Sequence, residues 1–334
     1  MKQMEREKCE KCNKEFTSSA YTRHLQRKTP CTNVQSSLYP KPILKWVGGK
    51  TQILDIVMDS FPKEMEQYHE IFLGGGSVLL AFLQQVQCGT LKVKGNIYAY
   101  DLNEPLIYVY KNIQSRPQEL YDCIQKKIQE LSECGEGELN RNPTTLEEAK
   151  ANKENYYYWS RQRYNKLSAD EKKEVEGSAL FVFLNKTCFR GVFRVGPNGF
   201  NVPYGHYPNP EVINWEHLEY IHRLIKPVMF ECCDFKTSLP RVGTGDFVYL
   251  DPPYAPENET SFVGYTELGF NMEMHEALFE MIKSVPGKFM MSNADVSFVR
   301  NHFKSYKIVT VLCKRSINSK NPGSKAKEVI VKND

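Results

Sequence analysis

Short runs of β-branched and aromatic residues alternate with longer stretches whose apolar side chains recur every three or four positions. The short runs predict strands over 68–73, 96–101, 228–234, 246–251, 287–292, 307–313 and 328–332. The longer period predicts helices near 50–60, 77–87, 104–114, 116–132 and 272–284. Such alternation implies an α/β fold with a mostly parallel sheet covered by helices. It breaks between about 115 and 225. There a long helical stretch, a polar loop near 132–145 and a glycine-rich, hairpin-like segment near 185–207 suggest a second subdomain inserted into the core. The organisation read from this pattern is a small Cys/His unit at 1–31 and a linker at 32–42. An α/β core follows at 43–114 and 228–334, with an inserted subdomain at 115–227.

Composition adds little to that picture. Charged residues make up 25% and hydrophobic residues 41% of the 334, as in ordinary globular proteins. No apolar run approaches the length that spans a bilayer, and no apolar signal core follows the first basic residues. An intracellular protein away from membranes is therefore expected, with its ten cysteines mostly reduced. Charge is more informative, because it is uneven. Residues 1–31 carry eight Lys/Arg against four Glu, which accounts for the whole net charge of +4. Residues 185–207 hold Lys186, Arg190 and Arg194 with no acid. From Arg300 onward nine basic residues face only Glu328 and Asp334. Basic surface confined to such segments fits a polyanion at defined faces, although ordinary solvated surface would give the same charge count.

The stretch "VYLDPPYAP", Val248–Pro256, carries the most chemistry. A hydrophobic run ends in an acid, two prolines and an aromatic ring. Neither proline can donate to a strand ladder, so a buried strand stops at Asp251. A rigid turn then holds a carboxylate and a phenol at the strand's C-terminal end, where ligands bind in open α/β sheets. A second turn, in "HEIFLGGGSVLL" (His69–Leu80), joins a strand to a helix through three glycines. Glycines let backbone approach a ligand closely, and a helix start offers free N–H groups. The next strand, in "NIYAYDLNEPL", ends in Asp101. A carboxylate there suits the two ribose hydroxyls of a nucleoside-type cofactor. The glycine turn departs from the dinucleotide fingerprint and from the Walker pattern, so neither a dinucleotide nor ATP is favoured.

Together these pieces resemble the Dam-like adenine-N6 DNA methyltransferases (D12 class, alpha group). "LKWVGGK" (Leu44–Lys50) is similar to that family's opening motif, and "EIFLGGGS" to its E-P-F-x-G-x-G-S turn, with Ile71 where proline is usual. "YDLNEPLI" matches the ribose-acid motif, "CDF" (Cys233–Phe235) the segment beside the cofactor's adenine, and "DPPY" (Asp251–Tyr254) the catalytic motif. "FLNKTCFRGVFRVGPNGFNVPYG" (Phe183–Gly205) resembles the DNA-reading hairpin, and "SNAD" and "RSIN" (Arg315–Asn318) complete the order. The match covers about residues 43–332. It implies a Rossmann-like core that uses S-adenosylmethionine, with residues 115–227 reading the target. It implies that Asp251, Pro252, Pro253 and Tyr254 are catalytic. It places Trp46, Lys50, Phe72, Gly74, Gly76, Asp101, Asp234 and Asp251 around the cofactor, and Lys186, Arg190, Arg194 and Asn201 on DNA.

The chemistry implied is direct transfer to the N6 amino group of adenine in double-stranded DNA. That nitrogen shares its lone pair with the ring and is a poor nucleophile. Asp251 and the Pro252 carbonyl would each accept one of its N–H bonds and turn the lone pair towards the methyl group, while Tyr254 stacks on the extruded base. A short palindrome such as GATC is the target the resemblance suggests. Arg190 and Arg194 would either pair with guanine edges or grip phosphates. Alternatives of other kinds are cytosine-N4 methylation, an inactive DNA-binding module of the same fold, and methylation of RNA or a protein amide. Asp251 in place of serine favours adenine. A monomer is expected, and a partner restriction endonuclease is left open. Cys188, Cys232, Cys233 and Cys313 read as packing residues in apolar surroundings.

The N-terminal unit has Cys9, Cys12, His24 and Cys31 in the spacing C-x2-C-x11-H-x6-C. It resembles a zinc finger with cysteine as its last ligand. So short a unit lacks a sufficient core, and structural zinc would supply the folding energy.

Overall fold

The computed structural model describes residues 6–8, 15–17, 21–22, 39–256, 270–314 and 325–333. The chain falls into two compact units, Met1–Lys41 and Pro42–Asp334. In the first, strands Arg6–Lys8 and Glu15–Thr17 pair antiparallel, with Arg6 opposite Thr17. Cys9, Cys12, His24 and Cys31 lie outside the described residues, as does the Arg315–Asn318 motif.

The second unit is built on seven strands: β1 Tyr68–Glu70, β2 Ile97–Asp101, β3 Val228–Cys232, β4 Phe247–Leu250, β5 Lys288–Ala294, β6 Lys307–Lys314 and β7 Lys325–Lys332. Their order across the sheet is β6-β7-β5-β4-β1-β2-β3. The neighbouring pairs from β5 to β3 are parallel, and β7 runs antiparallel to both β5 and β6. This is the mostly parallel α/β sheet expected from the alternating pattern. All residues of β1 and β4 are buried, as in central parallel strands covered on both faces.

The helices among the described residues include α1 Leu54–Asp59, α2 Ser77–Gln87, α3 Glu104–Ser115, α4 Pro117–Ser132, α5 Lys153–Lys166, α6 Val175–Thr187, α7 Trp215–Leu224 and α8 Met272–Lys283. Local chemistry sets several boundaries. Asn103 caps α3 by accepting from the Leu106 N–H, and Pro105 occupies its first turn, where no N–H is needed. Asn152 and Asn271 cap α5 and α8 in the same way. The first core helix starts at Leu54, four residues later than its pattern suggests. The Lys50 N–H is instead donated to the Ser77 hydroxyl, 3.1 Å away.

The stretch between α3 and β3 is helical, with a small antiparallel pair, Val195–Gly196 and Gly199–Phe200. Helix α6 is apolar nearly all round and almost wholly buried, as a helix enclosed by others must be. It packs against α3 and α4, and the Asn112 amide joins α3 to it by donating to the Ser178 hydroxyl at 2.8 Å. The stretch is thereby welded to the α/β core.

One consequence of the strand order matters for function. The chain builds outward through β1, β2 and β3, then returns to place β4 and β5 on the other side of β1. The crevice beyond the C-terminal ends of β1 and β4 is the switch point where such sheets bind ligands. Among the cysteines, Cys188 and Cys313 are buried as expected, but Cys232 is exposed and Cys233 only half-buried. Cys232 ends the edge strand β3 and is exposed, so it is not a packing residue. No helix among the described residues is long and apolar enough to cross a membrane.

Candidate active site

Asp251 leaves β4 directly into the crevice. Its Oδ2 lies 2.5 Å from Lys50 Nζ, which also donates to the Gly48 carbonyl at 2.8 Å. Lys50 is only 3% exposed. Asp251 Oδ1 is buried with no hydrogen-bond partner. A buried acceptor left open in this way calls for a ligand donor. Burial raises the Asp251 carboxyl to about 6, against the opposing pull of Lys50. It is therefore largely ionised at neutral pH.

The turn after Asp251 is held by neighbouring strands. Asn293, buried in β5, accepts from the Ala255 N–H at 3.0 Å. The Tyr254 hydroxyl donates to Glu328 Oε2 of β7 at 2.7 Å. Lys50 Nζ stands 5.0 Å from the Tyr254 ring centroid. Burial beside Asp251 and Glu328 drives the phenol's pKa far up, so it stays neutral.

The glycine turn after β1 is shaped by close packing. Gly74 and Gly76 have φ of 49° and 69°, a region that disfavours side chains. A Cβ on Gly74 would stand 2.9 Å from Trp46 Cδ1, and one on Gly75 2.8 Å from Trp46 Cβ. Asp101 links this turn to the next strand. Its Oδ2 accepts from the Gly74 N–H at 2.8 Å and its Oδ1 from the Asn103 N–H at 2.9 Å. Each oxygen keeps a further lone pair. Burial nonetheless raises the Asp101 pKa above the usual carboxylate value. Phe72 faces Phe235 and Phe270, each at 6.1 Å between centroids, and Asp234 caps the short turn Phe235–Ser238.

The model of the D12 class N6 adenine-specific DNA methyltransferases matches residues 46–317. The chain belongs to that family. It is 36% identical over 301 residues to the type II methyltransferase M.MjaIII of Methanocaldococcus jannaschii, covering 87% of this chain and 96% of that protein. It is 29% identical to a DNA adenine methylase of Haemophilus influenzae, covering 88% and 94%. A DNA adenine methylase of Escherichia coli K12 is 28% identical, covering 86% and 92%. The protein is thus an adenine-specific DNA methyltransferase with S-adenosylmethionine as its methyl donor. Membership separates adenine from the cytosine-N4, RNA and protein-amide alternatives. The crevice residues fit that donor. Two carboxylates with open lone pairs, Asp101 and Asp251, suit ribose hydroxyls and a positive sulfonium, and Phe72 with Phe235 and Phe270 offers faces for a flat base.

In this methyltransferase Trp46 joins the glycine turn to the glycine-rich segment. Trp46 stacks on Phe193 at 5.7 Å and on Phe181 at 6.5 Å, so one face of the opening motif leans on the glycine-rich segment. Arg194 is exposed, and its Nε donates to Asn201 Oδ1 at 2.6 Å. Arg190 is exposed at a positive φ of 56°, in a 3-10 turn before the strand pair. Lys186 is half-buried, and burial beside Lys45 lowers it to about 8.

Four contributors escaped sequence reasoning. Asn293 and Glu328 hold the turn after Asp251 from other strands. Asn185 grips Lys45, accepting from its N–H and donating to its carbonyl, both at 2.8 Å. Glu70, the residue before Ile71, is 2% exposed, and burial raises it to about 8. Glu70, Asn185 and Asn293 lie inside the stretches EIFLGGGS, FLNKTCFRGVFRVGPNGFNVPYG and SNAD, which drew attention without giving these residues a role; Glu328 had no such signal.

Proposed function

We propose that the protein extrudes an adenine from a short duplex site and methylates its N6 by direct transfer at Asp251–Tyr254. Asp251 Oδ1 and the Pro252 carbonyl accept the two amino hydrogens, and the ring of Tyr254 stacks on the base. The bound donor supplies an electrophilic methyl on a positive sulfonium. Asp101 holds its ribose, Phe72 and Asp234 flank its adenine, Gly74 and Gly76 admit it, and Trp46 and Lys50 complete the enclosure. Lys50 also holds Asp251 in place. The observation that carries this reading is Asp251 itself, with one oxygen fixed and the other buried and open. Losing such an acceptor typically costs roughly 10²–10³ in rate. The test is Asp251→Ala, followed by sequencing that detects N6-methyladenine in DNA from expressing cells. Methylation at the parental level would refute the assignment.

Target choice is assigned to residues 115–227, with Lys186, Arg190, Arg194 and Asn201 on DNA and a short palindrome such as GATC as the site. The exposed pair Arg194–Asn201 supports this, since Asn201 steadies the guanidinium through Nε at 2.6 Å and one outer nitrogen at 3.4 Å, which leaves the other outer nitrogen for a base edge. The N-terminal unit is assigned a structural zinc ion on Cys9, Cys12, His24 and Cys31, supported by their spacing. Metal analysis of the purified chain and of a variant lacking residues 1–40 tests it. Equal zinc in both would exclude the finger.

A further inference from the structure

We propose that Glu328 is a positioning residue for Tyr254, fixing the plane of the ring on which the extruded adenine stacks. This rests on the stacking role given to Tyr254 above. Glu328 sits on β7, the strand that runs against the others, opposite Ala294 of β5 and Val311 of β6. From there its carboxylate reaches across β5 and accepts the Tyr254 hydroxyl at 2.7 Å. One residue further on, Asn293 holds the Ala255 N–H. The turn is therefore gripped at two successive residues by two adjacent strands, once through the side chain and once through the backbone.

The geometry has a physical consequence. Two prolines stiffen the backbone before Tyr254 but leave its side-chain torsions free. A hydrogen bond at the far end of the ring removes that freedom. Lys50 Nζ, 5.0 Å from the ring centroid, faces the same group. The remaining polar neighbours are Asp251, the Cys313 thiol, which burial and the Glu328 charge hold protonated, and Tyr249, whose hydroxyl is hydrogen-bonded to Ser292. Asp251 in turn lies close enough to Glu70 to oppose its ionisation. Glu328 thus has a second effect, because its negative charge opposes ionisation of Asp251.

The test compares Glu328→Ala, Glu328→Gln, Tyr254→Phe and the pair Tyr254→Phe with Glu328→Ala. The readouts are kcat, KM for donor and DNA, and the fluorescence of 2-aminopurine at the target position, which reports stacking. Glu328→Ala and Tyr254→Phe should each lower kcat by roughly 10- to 100-fold, the rate equivalent of one charge-assisted hydrogen bond. KM for the donor should not move. The paired variant should be no slower than either alone, since both break one bond. Glu328→Gln keeps an acceptor and loses the charge, so it should retain most of kcat while the acid limb of its pH profile moves to lower pH. Parental kcat in Glu328→Ala, multiplying losses in the paired variant, or an unmoved acid limb in Glu328→Gln would each overturn the proposal. Tyr254→Ala separates the two levels. If it is also unimpaired, the stacking role fails; if it alone is crippled, only the role of Glu328 fails.

Discussion

Lys50 Nζ and Asp251 Oδ2 meet at 2.5 Å across 201 residues of chain, and the pairing leaves Asp251 Oδ1 open. The carboxyl titrates near 6, with burial as the raising influence and Lys50 as the lowering one. Acceptance of an amino hydrogen needs the ionised form. kcat/KM should therefore fall as pH drops through about 6. Lys50→Met removes the lowering influence, so its acid limb should move to higher pH. A pH–rate series on both proteins measures this, and coincident limbs would show that Asp251 is not the titrating group.

Asp101→Asn tests the donor site. The amide keeps one acceptor oxygen and loses the charge and the other acceptor. A charge-assisted bond contributes about 1.5–3 kcal/mol, so donor affinity should weaken by roughly 10- to 100-fold. Calorimetry with S-adenosylmethionine reads the change. Unaltered affinity would place the ribose elsewhere.

Glu70 offers a prediction about stability. Burial raises its carboxyl to about 8, and it accepts the Tyr68 hydroxyl at 2.7 Å. The folded protein thus holds a proton that the unfolded chain releases near the ordinary glutamate value of 4.5. Between those values the unfolded state binds fewer protons, so stability falls as pH rises. Glu70→Gln cannot titrate. Its melting temperature should gain on the parent's as pH rises from about 5 to about 8. A constant difference across that window would mean that Glu70 is not protonated in the fold.

Arg194→Ala should raise methylation of near-cognate sites relative to the cognate site, because a guanine contact is worth about 1–3 kcal/mol of discrimination. Asn201→Ala should shift preference in the same direction, since it removes the acceptor that steadies the guanidinium. Arg190→Ala, if it loses a phosphate contact, should lower all sites alike and flatten the salt dependence. Unchanged site preference in Arg194→Ala would remove base reading from this residue.

The elements of the core were legible because each is a local pattern. Strands β1 to β7 and helices α2, α3, α4 and α8 fall where apolar periodicity puts them, since burying one face of a helix or both faces of a central strand constrains every residue in it. Asp251, the glycine turn and Asp101 were legible for a related reason, as each ends a strand with residues that cannot continue it. Cys232 was misread because exposure at a strand's end depends on what the neighbouring strands leave uncovered. What only tertiary structure decided is partnership. Glu328 is one charge in an exposed-looking strand until β7 runs antiparallel beside β5 and brings it to Tyr254. Lys50 finds Asp251, and Trp46 finds Gly74 and Phe193, through strand order and helix packing. These contacts join residues far apart in sequence, and no spacing along the chain encodes them. The sequence alone determined which chemistry was present and at which strand ends; the fold determined which Asp251 oxygen was satisfied and which was left open.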